Sequence, residues 1–257
     1  MGRNGFSIGI IGGTRGMGQW FARFLEQEGY KVVVSGRSSG PDIPTLARDC
    51  RVVVVSVPIS VTCRVVEEVG PCMQEDALLM DLTSLKEAPV EAMLKATRAE
   101  VIGLHPLFGP DVDSLEGHKV VICPARTVTW RFWLMDLLTK NGAVLIETTP
   151  QKHDALMAII QGLNHLNTIT LAMIVKESGV DPAELKRFAT PSFHSKIALM
   201  EKIFGHNPRL YAEIITLNPQ IHPVLELYEK ALSEAKAIVS TQEPEAFSRL
   251  MNKNTFN

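Results

Sequence analysis

The sequence predicts an α/β protein in two parts: an N-terminal doubly wound parallel sheet and a C-terminal all-helical domain. Three observations carry this. Short β-branched runs alternate with helical patterns through the first half, a glycine-rich turn follows the first run, and only helix-like periodicity remains past residue 150.

The runs are Ser7–Ile11, Lys31–Ser35, Arg51–Val57, Leu78–Asp81, Val101–Leu104, Lys119–Ile122 and Ala143–Ile146. Val52–Val55 is apolar throughout, which suits a strand covered on both faces. Segments of helical length, such as Gly16–Glu28 and Thr129–Lys140, lie between them. Thr149 before Pro150 reads as an N-cap with proline in the first turn. The expected division is an α/β domain over 1–149 and an all-helical domain over 150–257. A long helix from 150 to about Ser178 is followed by Ala183–Phe188, Phe193–Phe204, Pro208–Leu217, Pro223–Ser240 and Pro244–Met251, with breaks at Gly179, Pro182, Pro191, Gly205–Pro208 and Pro219.

Composition limits the function classes. The 257 residues are 46% hydrophobic and 21% charged with a net charge of -2, so no basic field is offered to nucleic acid or to an anionic membrane. Cys50, Cys63, Cys72 and Cys123 include no CxxC pair, which fits a reducing cytoplasm. The apolar start runs directly into glycines, and neither a signal peptide nor a membrane span is expected. The seven histidines show no HxxxH or HxH spacing, so no metal is expected.

Ile8–Gly18 reads IGIIGGTRGMG, a strand entering a glycine-rich turn that opens a helix. Glycines let backbone approach a pyrophosphate, and the helix start offers free N–H groups. The candidate cofactor residues here are Gly12, Gly13, Thr14, Arg15, Gly16, Met17 and Gly18. Aligned on Gly13 and Gly18, the middle glycine of GxGxxG is Arg15; Gly12, Gly16 and Gly18 alternatively fit the GxxxGxG of short-chain reductases. That class also needs Tyr-x-x-x-Lys, and Tyr30, Tyr211 and Tyr228 are followed four residues on by Val34, Ile215 and Leu232. The second strand ends without the acidic residue that usually holds an NAD ribose. Ser35, Arg37, Ser38 and Ser39 stand there instead, so NADP is expected to be preferred over NAD. Val57 and Pro58, after the third run, complete the candidate cofactor contacts.

Residues 103–117 read GLHPLFGPDVDSLEG. An apolar run ends in His105, and Pro106 and Pro110 are expected to stop regular structure. A histidine at a strand's carboxyl end is placed like a catalytic base. Farther on, Gln161, His165 and Thr168 are spaced i, i+4 and i+7 and share a helix face, a polar stripe expected to wall a site.

SVPISVT (56–62), DLTSLK (81–86), GLHPLFGPD, VVICPAR, KHDALMAIIQGLNH (152–165) and TPSFHSKIALMEKIFGHNPRLYAEI (190–214) occur in this order. Together they resemble the prephenate dehydrogenase family over essentially the whole chain. The resemblance implies a Rossmann-type nucleotide domain with a helical dimerisation domain, and NAD(P)-dependent oxidative decarboxylation of prephenate to 4-hydroxyphenylpyruvate in tyrosine biosynthesis. It implies a bare dehydrogenase, without mutase or regulatory domain. His105 matches the family's catalytic histidine, and Ser84 a serine that contacts the same hydroxyl or His105. His165 matches a substrate-binding histidine, with Gln161 beside it, and Asp111 an acidic position near the site mouth. His153 also matches a family histidine, though a structural ion pair with Asp154 is equally expected. Lys202 stands where relatives carry a carboxylate-binding arginine, and His194 where some carry another, with Lys196 nearby. Lysine keeps the charge but loses the bidentate fork, which leaves arogenate or a 4-amino analogue open as substrate. A β-hydroxyacid dehydrogenase or a deazaflavin-dependent NADP reductase would share the fold and the glycine turn, and a non-catalytic dinucleotide sensor would share the fold alone. Relatives dimerise through the helical domain, and the stripe Leu225, Tyr228, Leu232 and Ala235 fits a homodimer.

Overall fold

The structure, a computed structural model, describes residues 5–205 and 207–255; the break expected at His206 lies partly outside them. Seven strands form one sheet: β1 (Ser7–Ile11), β2 (Lys31–Ser35), β3 (Val52–Val55), β4 (Leu78–Asp81), β5 (Glu100–Pro106), β6 (Lys119–Arg126) and β7 (Val144–Glu147), in the order β2-β1-β3-β4-β5-β6-β7. Val52 and Val54 point to one face and Val53 and Val55 to the other, and all four are fully buried. One face is covered by α1 (Gly16–Gln27) and α5 (Trp130–Lys140), whose Phe21, Leu25, Trp130 and Leu134 join Ile8, Ile10, Met80 and Ile102. The other carries α2 (Ile43–Asp49), α3 (Ile59–Val69) and α4 (Glu87–Ala96), whose Leu46, Val66, Val69 and Met93 pack on Val53, Val55 and Leu79.

The sheet departs from the expected all-parallel form at one place: β5 and β6 are antiparallel. A parallel return needs a crossover of about a dozen residues, usually a helix. The 107–118 connection contains Gly109, Pro110 and Gly117 and forms no helix, so it returns the chain alongside its own strand. The pairing also lengthens both partners. His105 and Pro106 belong to β5 and pair with Val121 and Val120, whereas the sequence placed the strand's end before them.

In the second part, Thr149 accepts from Lys152 N–H and Pro150 opens α6 (Pro150–Met157), as the cap pattern predicted. A π-helical turn (Ala158–Leu163) joins it to α7 (Asn164–Glu177). Then follow α8 (Pro182–Phe188), α9 (Pro191–Gly205), α10 (Pro208–Thr216), α11 (Ile221–Thr241) and α12 (Pro244–Lys253). The stretch Pro150–Glu177 is long and apolar enough to cross a membrane by length and composition alone, and 17% of its most apolar 18 residues are buried. His153 and Asp154 at its start are buried against the nucleotide half.

Candidate active site

β1 lies between β2 and β3, so the chain changes winding direction there, the switch point at which open α/β sheets bind ligands. The glycine turn occupies this point. Gly12 has φ +84°, and a Cβ on it would stand 2.1 Å from the Ser56 carbonyl oxygen; a Cβ on Gly18 would stand 2.6 Å from the Gly12 carbonyl oxygen. Only glycine allows α1 to pack this closely behind the β1–β3 crevice. Arg15, the N-cap of α1, is extended and makes no side-chain cap, and the first turn holds no acid. The N–H groups at this helix start therefore remain available to an anion. Thr14, Arg15 and Gly16 are exposed, and Met17 is half-buried. Across the turn, Gly36 N–H donates to the Ser39 carbonyl at 2.8 Å, so Arg37 and Ser38 form the exposed tip of the β2 loop. Ser35 is buried and donates its hydroxyl to the Pro41 carbonyl at 2.8 Å, which holds the loop's shape. Val57 and Pro58 follow β3 at the same edge of the sheet. An open helix start and a glycine cradle fit a dinucleotide.

His105 lies at the carboxyl end of β5, on the same sheet edge, and is 3% exposed. Its Nδ1 is 2.8 Å from His153 Nε2, and His153 Nδ1 is 2.7 Å from Asp154 Oδ1. Asp154 in turn accepts from Lys86 N–H at 2.8 Å and from Glu87 N–H at 2.9 Å. The helical half thus caps the start of α4, and the same carboxylate holds His153. Asn218 Nδ2 donates to the Asp154 carbonyl at 2.9 Å and braces this corner. On its other side, His105 Nε2 faces the Gln161 amide nitrogen at 3.5 Å. Gln161 lies within the π-helical turn, an irregularity frequent at functional sites.

Burial, then the positive charge His153 would carry if protonated, then Lys86, hold His105 well below the usual imidazole range. His105 is therefore a neutral ring at physiological pH. Lys86 is itself fully buried; it pairs with Asp81 and donates to the Leu104 carbonyl at 2.9 Å, one residue before His105. Burial first and then the Lys202 charge lower His165, whose ring meets Tyr211 edge-on at 4.9 Å. Buried and unpaired polar atoms remain at Gln161 Oε1 and His165 Nδ1.

The remaining predicted residues are placed as follows. Ser84 is half-buried in the turn between β4 and α4, and no hydrogen bond joins it to His105. Asp111 is exposed in the 107–118 loop, which is tied to α1 by Trp20 Nε1 donating to the Val112 carbonyl at 2.7 Å. His194 and Lys202 are exposed on α9. Eight residues apart, they share a face about 12 Å along the axis. Lys196 is exposed on the same helix. Gln161 and Thr168 do not act alike, since Thr168 spends its hydroxyl on the Asn164 carbonyl within the helix.

The expected His153–Asp154 pair is present, but sequence reasoning missed three further contributions: Asp154 as the cap of α4, the buried Asp81–Lys86 pair, and a second clamp. In that clamp Glu213 on α10 accepts from Ser60 Oγ and from Arg209 Nε, each at 2.7 Å, at the start of α3. Ser60 N–H reaches the same carboxylate at 3.3 Å. The only signal in the chain was the buried-type context of the acids, as in LYAEII, which does not name a partner.

A model of the prephenate dehydrogenase nucleotide-binding domain matches residues 38–147, and one of the prephenate dehydrogenase dimerization domain matches residues 149–253. The chain belongs to the prephenate dehydrogenase family. It is 38% identical to a protein of Methanocaldococcus jannaschii named probable arogenate/prephenate dehydrogenase, over 96% of this chain and 60% of that one. It is 33% identical to the T-protein of Enterobacter agglomerans, over 95% of this chain and 65% of that one. The chain thus spans 60% and 65% of the length of these two curated relatives. Among solved structures, prephenate dehydrogenase from A. aeolicus in complex with hydroxyphenyl propionate and NAD+ superposes with a TM-score of 0.77 at 20% identity, covering 96% of this chain and 95% of that one, which shows the shared fold.

Proposed function

We propose that the chain is an NAD(P)-dependent dehydrogenase that converts prephenate to 4-hydroxyphenylpyruvate and CO2, with its nucleotide part over 1–149 and its substrate and dimerisation part over 150–257. The observation that carries this is His105: a buried neutral imidazole at a strand's carboxyl end, with Nε2 turned toward Gln161 and away from its own support. A neutral Nε2 can accept the hydrogen bond of the 4-hydroxyl as positive charge develops on the carbinol carbon. The bound nicotinamide would supply the hydride acceptor. The N–H groups at the start of α1 would hold its pyrophosphate, with Gly12, Gly13, Gly16 and Gly18 giving backbone access. Ser84 would reach the same hydroxyl once substrate is present.

Prephenate brings two carboxylates, so cations are needed. Lys202 would supply the charge; burial and then Lys202 depress the protonation of His165, which would serve beside it as a neutral hydrogen-bonding ring, with His194 on the same helix α9 completing the carboxylate-binding side. Asp111 would border the entrance. Because Lys202 replaces an arginine fork with a point charge, arogenate is the alternative substrate; the name of the Methanocaldococcus jannaschii relative carries both. We assign NADP preference to Arg37 and Ser38, the exposed tip where an NAD-specific acid would otherwise repel a 2′-phosphate. The four unpaired cysteines fit a reducing cytoplasm, and the uncovered apolar faces of the helical half fit a homodimer.

Absorbance of reduced nicotinamide, followed with prephenate or arogenate and either NADP or NAD, tests the proposal. Rapid reduction with prephenate and NADP is expected. Reduction only with arogenate would move the substrate assignment, and no reduction with any pair despite NADP binding would overturn the activity.

A further inference from the structure

Three polar side chains, nearly or fully buried, run in a line from the sheet edge into the helical half: His105, His153 and Asp154, 3%, 1% and 0% exposed. Asp154 already accepts two backbone N–H groups, one on each carboxylate oxygen. Toward His153 it can act only as acceptor, so His153 Nδ1 carries the hydrogen. A neutral His153 then presents a lone pair at Nε2, and His105 Nδ1, 2.8 Å away, must donate to it. That leaves the lone pair of His105 on Nε2.

We infer that His153, anchored by Asp154, is a positioning residue: it fixes His105 as the Nδ1–H tautomer with the Nε2 lone pair directed at the substrate position. Because the anchor is the carboxylate that caps α4, the ring orientation of a residue on β5 is set by the docking of the helical half. Asp154 belongs to α6, and a shift of that helix would move the cap and the tautomer together. The other titratable groups around this line are Lys86 and Asp81 from the β4–α4 segment, paired with each other, and Cys123 from β6, which burial pushes up to about 12 and so keeps as a neutral thiol. None of them contacts the Nε2 side of His105. The catalytic consequence rests on the proposed reaction; the tautomer does not.

Two measurements separate these. Long-range 1H–15N correlation on protein labelled at the histidine ring nitrogens reads the tautomer in the parent protein without any substrate. The expected result is a protonated Nδ1 and an unprotonated Nε2 for His105. A protonated Nε2 on His105, with a doubly protonated His153, would overturn the inference. In turnover, His153→Phe should lose between about 10²- and 10⁴-fold in kcat, the range of a general base, with nucleotide Kd unchanged. His153→Gln, whose amide oxygen can still accept from Nδ1–H, should recover at least about tenfold of that loss. Equal kcat in the parent and both variants would overturn the positioning role. If the parent turns over no cyclohexadienyl acid at all, the proposed function fails, and the ring spectrum still decides the tautomer.

Discussion

The two halves of this chain hold themselves together differently. In the nucleotide half, every central strand is buried between two helical layers, and the two apolar clusters on either side of the sheet include Val52–Val55 and Leu78–Met80 at 0% exposure. In the helical half, the buried large apolar residues and alanines among those described are Met157, Ala158, Ile203, Ile214 and Ile221, while Ile159, Ile160, Met173, Ile174, Leu227 and Leu232 are largely exposed. The first half buries most of its own apolar surface, leaving Val128, Phe132, Val144 and Ile146 exposed; the second relies far more on surfaces it does not own. Two of those contacts are carboxylates, Asp154 at the start of α4 and Glu213 at the start of α3. The start of α1 receives no such side chain. Of these three helix starts, two are closed by the helical half and one is left for an anion.

This comparison can be broken at several points. The largest effect should come from His105→Asn, which keeps the fold and removes the acceptor. Turnover should fall by about 10²- to 10⁴-fold with nucleotide Kd unchanged; near-parental kcat in a steady-state assay would sink the assigned role. Next, Asp154→Ala leaves two helix N–H groups and His153 Nδ1–H without their buried acceptor, a loss of about 3–5 kcal/mol at about 1–3 kcal/mol for each donor left unsatisfied. Urea denaturation should show it, together with a Tm drop, and a change under 1 kcal/mol would mean that the halves do not depend on this clamp. Leu227→Glu combined with Leu232→Glu places charge at two uncovered apolar positions of α11. Light scattering at micromolar concentration should give a dimer for the parent and a monomer for the variant; a monomeric parent would remove the explanation for the exposed face.

Smaller effects sharpen the picture. Arg37→Ala should lower kcat/KM for NADP by about tenfold, the worth of one charge-assisted hydrogen bond, and leave NAD unaffected. Equal losses with both nucleotides would assign Arg37 to the loop alone. The smallest concerns Glu213, 10% exposed at its side chain. Burial raises its pKa, but the hydrogen bonds from Arg209 and Ser60 together outweigh burial and hold it below its ordinary value of 4.5. A depressed carboxylate stabilises the fold above its unfolded value and loses that contribution as pH falls through the folded one. Glu213→Gln should therefore cost about 1 kcal/mol at pH 7 and remove part of the acid sensitivity below pH 4.5. A parallel pH–stability curve for parent and variant would refute it.

Much of the nucleotide half was legible because its signals are local. Alternating β-branched runs, Gly12–Gly18 and the Thr149–Pro150 cap each act within a few residues. His105 was legible by type but misplaced in structure: the sequence suggested that a proline would end the strand, while antiparallel pairing with Val120 and Val121 carried β5 through Pro106. Ser35 looked like a ligand contact and spends its hydroxyl on Pro41. His153 was ambiguous because its two neighbours, Asp154 and His105, lie 1 and 48 residues away, and only the first is visible along the chain.

By itself the sequence determined the element types, the glycine cradle and the set of polar residues that motif order brings to one family. Those depend on backbone freedom, side-chain periodicity and spacing, which are properties of short segments. Tertiary structure alone decided that β6 runs against β5, that Asp154 and Glu213 close helix starts in the other half, and that His105 lies buried between His153 and Gln161. These follow from which distant surfaces meet, and a buried carboxylate or imidazole takes its partner, tautomer and charge from whatever donor the fold brings within hydrogen-bond reach.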